Sequence, residues 1–396
     1  MFTTMVVVIT TTLAPISAVT HTGPDIDPEP KPETCVGQDA GFKGINLPPY
    51  DPIVGVDAGI IRAGDEKALE ALKDADVQWV RLEFIQKGGS IDLKVYDYMV
   101  DHLCNSRINV LGLLSASSLN RSDYNSPAGA ASYRAEFAAL AKDLAQHFRG
   151  RISAWEVWNE PNDRENAYLS AEHFAALVRK TSSDIRIADA SAQVIMGGLA
   201  SGWRDSFVYF QLVMAALGDV TLAPTPFDHI AIHPYPNGVY GDNDPRNPED
   251  YLFISDGNPN DNTQLDRFVR VLDENGRKDA QIWVTEFGFN AAKGVANRPT
   301  CQEAVLVTED EQAKFMRSGF NVLLGEAERK AVPKVFWFQF MDRGGLSPCE
   351  GQETAAFLFG LYRSDKITTK PVQCAFRTYQ RGGMCARVYL PLAINR

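Results

Sequence analysis

A chain of 396 residues, 45% hydrophobic and 22% charged, can bury a large core, which excludes bulk disorder. Lys and Arg number 39 against 50 Asp and Glu, a formal net charge of −11. That surplus repels phosphate backbones and anionic lipid surfaces, so neither nucleic acid nor a membrane is expected as a partner.

From Met1 to Ala18 the chain is apolar and threonine-rich, ends in small residues and contains no Lys or Arg. This stretch is too short to span a bilayer and reads as a secretory leader, although it lacks the usual basic start. Residues 1–20 are therefore expected to direct secretion. Residues 21–40 form a linker, Pro-rich and charged from Pro24 to Thr34, where proline fixes φ and removes donors. Six cysteines follow: Cys35, Cys104, Cys301, Cys349, Cys374 and Cys385. They form no CxxC pair and no zinc-finger spacing, so no metal or other cofactor is expected, and an even number in an exported chain points to disulfides.

Beyond the linker, eight apolar runs alternate with amphipathic stretches. The runs are Phe42–Asn46, Gln78–Glu83, Ile108–Leu114, Ile152–Asn159, Gln193–Leu199, Phe227–His233, Gln281–Glu286 and Val335–Phe340. The helical candidates are Glu66–Ala75, Leu93–Asn105, Tyr133–Phe148, Ala171–Ala188, Phe207–Leu217, Leu265–Glu274, Glu311–Glu328 and Lys370–Tyr379. In the third, Phe137, Leu140, Ala141, Leu144 and Phe148 fall on one helical face. Pro371 suits the first turn of the last. Strict alternation implies a parallel sheet with crossover helices, and eight pairs imply an α/β fold of the (β/α)8 TIM barrel type, a single domain over 41–381 with a short tail at 382–396. An open doubly wound sheet is the competing architecture, but no GxGxxG follows the first strand and no P-loop occurs.

In a parallel barrel the strand C-termini form the active face. The fourth run ends Trp155-Glu-Val-Trp-Asn-Glu-Pro-Asn162 and the seventh Ile282-Trp-Val-Thr-Glu-Phe-Gly-Phe-Asn290, which sets Glu160 and Glu286 at opposite sides of the opening. Two facing carboxylates suit hydrolysis of a glycosidic bond: one donates a proton to the leaving oxygen and the other supplies electron density to the anomeric carbon. The acid must hold its proton and its partner must lose it, so their surroundings must differ.

The strings Trp-Asn-Glu-Pro-Asn at 158–162 and Thr-Glu-Phe-Gly at 285–288 resemble the acid/base and nucleophile motifs of glycoside hydrolase clan A, and within it families 39 and 5. The resemblance extends over roughly 41–380 through matching strand ends. It implies a retaining, double-displacement hydrolase with Glu160 as acid/base and Glu286 as nucleophile. It further implies that Asn159 holds a sugar hydroxyl, that Arg81 on the second strand lies near the nucleophile, and that His233 and Tyr235 on the sixth bind the nucleophile or the sugar. Trp337 on the eighth resembles the tryptophan that floors the reacting sugar. Glu156, one layer below Glu160, is expected to support the site and not to act in it. The substrate is expected to be a polysaccharide or oligosaccharide, and the chain a monomer. Rival readings are a non-catalytic carbohydrate-binding barrel, which has no need of two facing carboxylates, and a metal-dependent barrel hydrolase, for which the six histidines show no His-x-His or His-Glu-x-x-His at a strand end.

The long stretch Pro236–Asn262 and those after the seventh and eighth strands (Phe289–Asp310, Met341–Ala356) are expected to form the rim. Cys301 and Cys349 fall in the latter two, so a Cys301–Cys349 bridge is favoured. Cys374 and Cys385 are a second candidate pair, leaving Cys35 and Cys104.

Overall fold

The computed structural model describes residues 35, 41–47, 66–164, 167–200, 206–235, 264–292, 306–325, 332–342, 358–364 and 368–379. Residues 1–20, expected as a leader, most of 21–40, residues 382–396, the 236–262 stretch expected at the rim, Cys301, Cys349 and Cys385 lie outside the described residues.

Eight parallel strands close into a barrel: β1 (Lys43–Asn46), β2 (Trp79–Glu83), β3 (Asn109–Leu114), β4 (Ala154–Asn159), β5 (Gln193–Ala200), β6 (His229–His233), β7 (Ile282–Phe287) and β10 (Lys334–Trp337). Around them run α1 (Glu66–Asp74), α2 (Leu93–Asn105), α3 (Ala130–His147), α4 (Ala171–Ala188), α5 (Ser206–Leu217), α6 (Gln264–Glu274), α7 (Glu309–Gly325) and α8 (Pro371–Arg377). The sheet closes where β1 pairs with both β2 and β10, so no barrel edge remains to be covered. After β7 two short strands the sequence did not announce, β8 (Asn290–Ala292) and β9 (Leu306–Thr308), pair in parallel. At three residues each they are too short to display a period.

Local chemistry sets the helix ends. Asp92 and Ser170 cap α2 and α4 by accepting the Lys94 and His173 N–H groups. Pro371 opens α8, where its missing N–H leaves nothing unsatisfied. A Cys35–Cys104 disulfide ties the chain ahead of β1 to the last turn of α2, with a Cα–Cα distance of 5.4 Å and 69 residues between its partners. A loop of that length restricts the unfolded chain by about 4 kcal/mol.

The barrel interior is layered by strand parity. Its floor is Trp79, Leu111, Ala154, Ile195, Ala231, Trp283 and Phe336, one residue from each of seven strands. Two residues further along those strands lie Arg81, Glu156, His233 and Thr285, all buried. The barrel thus carries an apolar base and a polar upper layer. Two irregularities modify this layer. On β7 the register shifts against β10, so that Val284 to Phe287 spans what Val335 to Trp337 spans. The extra residue lets consecutive Thr285 and Glu286 both reach the barrel interior, which regular alternation would forbid. On β5 a similar shift falls at Gly197 and Gly198. A Cβ on Gly197 would stand 2.3 Å from the Trp158 carbonyl oxygen, so only glycine lets β5 close on β4 there.

Candidate active site

Glu160 leaves β4 on a backbone that few residue types adopt. Trp158 has φ 76° and Glu160 φ 46°, both in the left-handed region that costs a non-glycine residue roughly 1 kcal/mol or more. The surrounding packing holds this shape. The Trp158 ring is buried among Tyr124, Tyr133 and Phe137, and its indole N–H donates to the Ala167 carbonyl at 2.9 Å. The Glu160 N–H donates to the Gly198 carbonyl at 2.8 Å. Asn162 accepts the Ala200 N–H at 2.9 Å and donates to its carbonyl at 2.7 Å. The turn that carries Glu160 is thereby fastened to β5.

Glu286 is 9% exposed and held from two sides. Arg81 Nη1 donates to its Oε1 at 2.5 Å and the Tyr235 hydroxyl to its Oε2 at 2.8 Å. Burial pushes the Glu286 carboxyl up. The charges of His233 and Arg81, with the hydrogen bonds from Tyr235 and Arg81, outweigh it and hold the group below the usual carboxylate range. Burial and the neighbouring Glu286 charge drive Tyr235 far above the ordinary phenol value, so it stays a donor.

Arg81 organises the layer. It also donates to Asn46 Oδ1 at 3.0 Å, to Asn159 Oδ1 at 2.7 Å, and to both oxygens of Glu156 at 2.6 and 3.2 Å. Burial acts against its charge, but Glu156 and Glu286 hold the proton affinity of the guanidinium above its ordinary value. Because guanidinium only donates, the Asn159 atom facing it is oxygen, and the amide N–H2 is left as a donor for a ligand.

His233 is fully buried. Its Nδ1 lies 3.0 Å from Glu160 Oε1 and 3.8 Å from Glu286 Oε2, and its Nε2 lies 3.0 Å from Thr285 Oγ1. Burial would lower its proton affinity, yet the Glu286 and Glu160 charges raise it above the ordinary imidazole value. Glu160, His233 and Glu286 each place one side-chain donor atom within 4.8 Å of the others. A cation could use such a grouping, but Arg81 already supplies positive charge to Glu286.

Six of the seven residues singled out from sequence therefore meet: Glu160, Glu286, Asn159, Arg81, His233 and Tyr235. Trp337 does not. It is 0% exposed, packs against Phe287 and Phe289, and donates its indole N–H to the Phe359 carbonyl at 2.9 Å. It faces the aromatic packing outside the barrel, which corrects the expectation of a sugar floor there. Strand parity carries the reason: Phe336 points into the barrel floor, so Phe338 and not Trp337 shares its side. Phe338 is partly exposed, with ring centroids 6.1 Å from Tyr235 and 5.4 Å from Phe359. These two phenylalanines form an aromatic wall beside Tyr235 that motif reading missed. Thr285 was also missed as a site residue.

The family model for cellulase (glycosyl hydrolase family 5) matches residues 65–337 of this chain. The chain belongs to that family. That family is one of glycosyl hydrolases. Among solved structures, the enzyme's barrel is similar to a family 39 glycoside hydrolase from the gut symbiont Bacteroides cellulosilyticus WH2, at TM-score 0.57 and 18% identity, covering 85% of this chain and 62% of that one. It is also similar to a GH10 endoxylanase retrieved from a sugarcane soil metagenome, at TM-score 0.55 and 12% identity, covering 85% and 96%. A third is the GH53 catalytic domain of Ignisphaera aggregans, at TM-score 0.51 and 18% identity, covering 78% and 87%. The chain thus spans about three fifths of the family 39 protein's length. At these identities the likeness is one of fold. No curated protein matches the chain.

Proposed function

We propose that the enzyme is a retaining β-glycosidase acting on a polysaccharide or its fragments by double displacement. Glu160 protonates the leaving oxygen and then deprotonates the incoming water. Glu286 attacks the anomeric carbon and forms the glycosyl-enzyme. The observation that carries this reading is the approach of the two carboxylates, with one oxygen of each within 4.8 Å of the other. Retention needs about 5–5.5 Å between the groups, and inversion needs roughly 6.5 Å or more to admit a water between them. The asymmetry of the pair also supports it. Glu286 is buried between a guanidinium and a phenol and held ionised, as a nucleophile must be. A barrel that only bound sugar would have no use for this division of labour.

Asn159 and the wall of Phe338 and Phe359 then receive the sugar, the amide at a hydroxyl and the rings at the apolar C–H face. Phe338→Ala is expected to fold normally and to lose about fivefold in kcat/KM, since an aromatic contact of this kind contributes about 1 kcal/mol. Trp337→Ala should instead destabilise by about 3–5 kcal/mol, seen as a large drop in Tm, because it empties a packed site. The reverse pattern would return the platform to Trp337.

The Cys35–Cys104 bridge supports an oxidising compartment and hence export of the chain through its leader. A screen of aryl glycosides and polysaccharides with reducing-end analysis tests the proposal. Hydrolysis of a β-linked substrate, unaffected by chelator, is expected; binding without turnover across such a panel would favour the carbohydrate-binding barrel.

A further inference from the structure

A line of hydrogen bonds runs from a buried cation to Glu160, and its polarity is forced. It begins at Arg81, which can only donate, and passes to Glu156, which is fully buried. Glu156 Oε1 also accepts the Gly198 N–H at 2.9 Å and the Thr285 hydroxyl at 3.0 Å. That hydroxyl has one proton, and the carboxylate takes it. The Thr285 oxygen therefore turns only a lone pair toward His233 Nε2, 3.0 Å away, and Nε2 must carry hydrogen. In the neutral ring Nδ1 is then a bare acceptor, and it lies 3.0 Å from Glu160 Oε1.

We infer that Thr285 and Glu156 are positioning residues that lock hydrogen on His233 Nε2, so that Nδ1 and Glu160 hold one proton between them and that proton stays at hand for Glu160 to deliver. This rests on Glu160 being the acid/base. When the shared proton departs, the Glu160 carboxylate faces a lone pair with no hydrogen between, so the locked ring resists its loss more than an unlocked ring does. Without the lock the neutral ring can carry its hydrogen on Nδ1 instead and donate it to the Glu160 carboxylate, and the proton leaves more readily. During turnover the proton passes from Glu160 to the leaving oxygen as the glycosidic bond breaks, and the water of the second step returns it.

The groups facing the ring are Arg81 from β2, Glu156 and Glu160 from β4, Tyr235 beyond β6, and Thr285 and Glu286 from β7. Strand β5 contributes Gly198, where a Cβ would stand 2.0 Å from Nε2, so the ring occupies space that only glycine leaves. Exchanging the Thr285 hydroxyl for a methyl changes none of the charges, which isolates the tautomer.

Thr285→Val and Thr285→Ser, compared across pH on a phenyl glycoside with a poor leaving group, test the lock. The alkaline limb of kcat/KM reports the acid of the free enzyme. It should fall by about one pH unit in Thr285→Val, the size of one charge-assisted hydrogen bond, with the acid limb unmoved. Thr285→Ser should restore it. In ¹⁵N-histidine spectra, with His233 identified by its absence in His233→Gln, the wild-type ring should be Nε2–H. An equal loss of rate at every pH with both limbs fixed, or a wild-type Nδ1–H tautomer, would overturn the lock; the wild-type spectrum decides even if Thr285→Val fails to fold. Glu160→Ala on good and poor leaving groups separates the two claims. Equal loss there removes the acid assignment itself, whereas an unmoved limb beside an intact leaving-group effect removes only the lock.

Discussion

Replacing Glu286 by Ala is expected to lower kcat on an activated aryl β-glycoside by on the order of 10⁵-fold, the scale on which loss of a covalent nucleophile acts. The fold should survive. Arg81 would lose one partner but keep Glu156, Asn46 and Asn159, so no buried cation is stranded. Tyr235 would lose its acceptor, at about 1 kcal/mol, and Tm should move by only a few degrees. Steady-state kinetics beside a thermal melt checks both halves. Activity within tenfold of wild type, in a folded variant, would reject the nucleophile assignment.

Glu160→Ala should behave differently, because its contribution depends on the substrate. With a poor leaving group the first step needs a proton, and a loss of about 10²–10⁴-fold is expected. With a good leaving group such as 2,4-dinitrophenolate that step should stay near the wild-type rate. The second step would then limit turnover, since no base activates water, and a burst of one released phenol per enzyme should precede a slow steady state. Added azide, a nucleophile that needs no deprotonation, should accelerate that steady state.

These predictions come from a site that was largely legible in the sequence. Apolar runs alternating with helical periods marked the eight barrel strands because each is buried on both faces. Glu160 and Glu286 were legible because a parallel barrel puts strand ends at the mouth, and each sits at one. What escaped reading was parity where it is broken or must be counted. Trp337 looked like the sugar platform because tryptophan suits that role. Counting by two from Phe336 in the barrel floor sends Trp337 outward and Phe338 inward. Thr285 and Glu286 share the interior only through a register shift, which no local pattern announces. The partnership of Glu156 with Arg81 joins β4 to β2 across 75 residues of chain, and its consequence for His233 appears only once hydrogen-bond directions are traced. The Cys35–Cys104 pair had emerged from sequence only as what the other candidate pairs left, and it is present.

The central claim is that Glu160 and Glu286 act on one anomeric carbon from either side of a gap too narrow for an interposed water. Proton NMR of the first turnovers on a β-glycoside tests it most directly, because the anomer formed can be read before mutarotation scrambles it. The account predicts that the β-anomer appears first and the α-anomer grows in later. Initial release of the α-anomer would mean inversion, and the double displacement through Glu286 would be wrong.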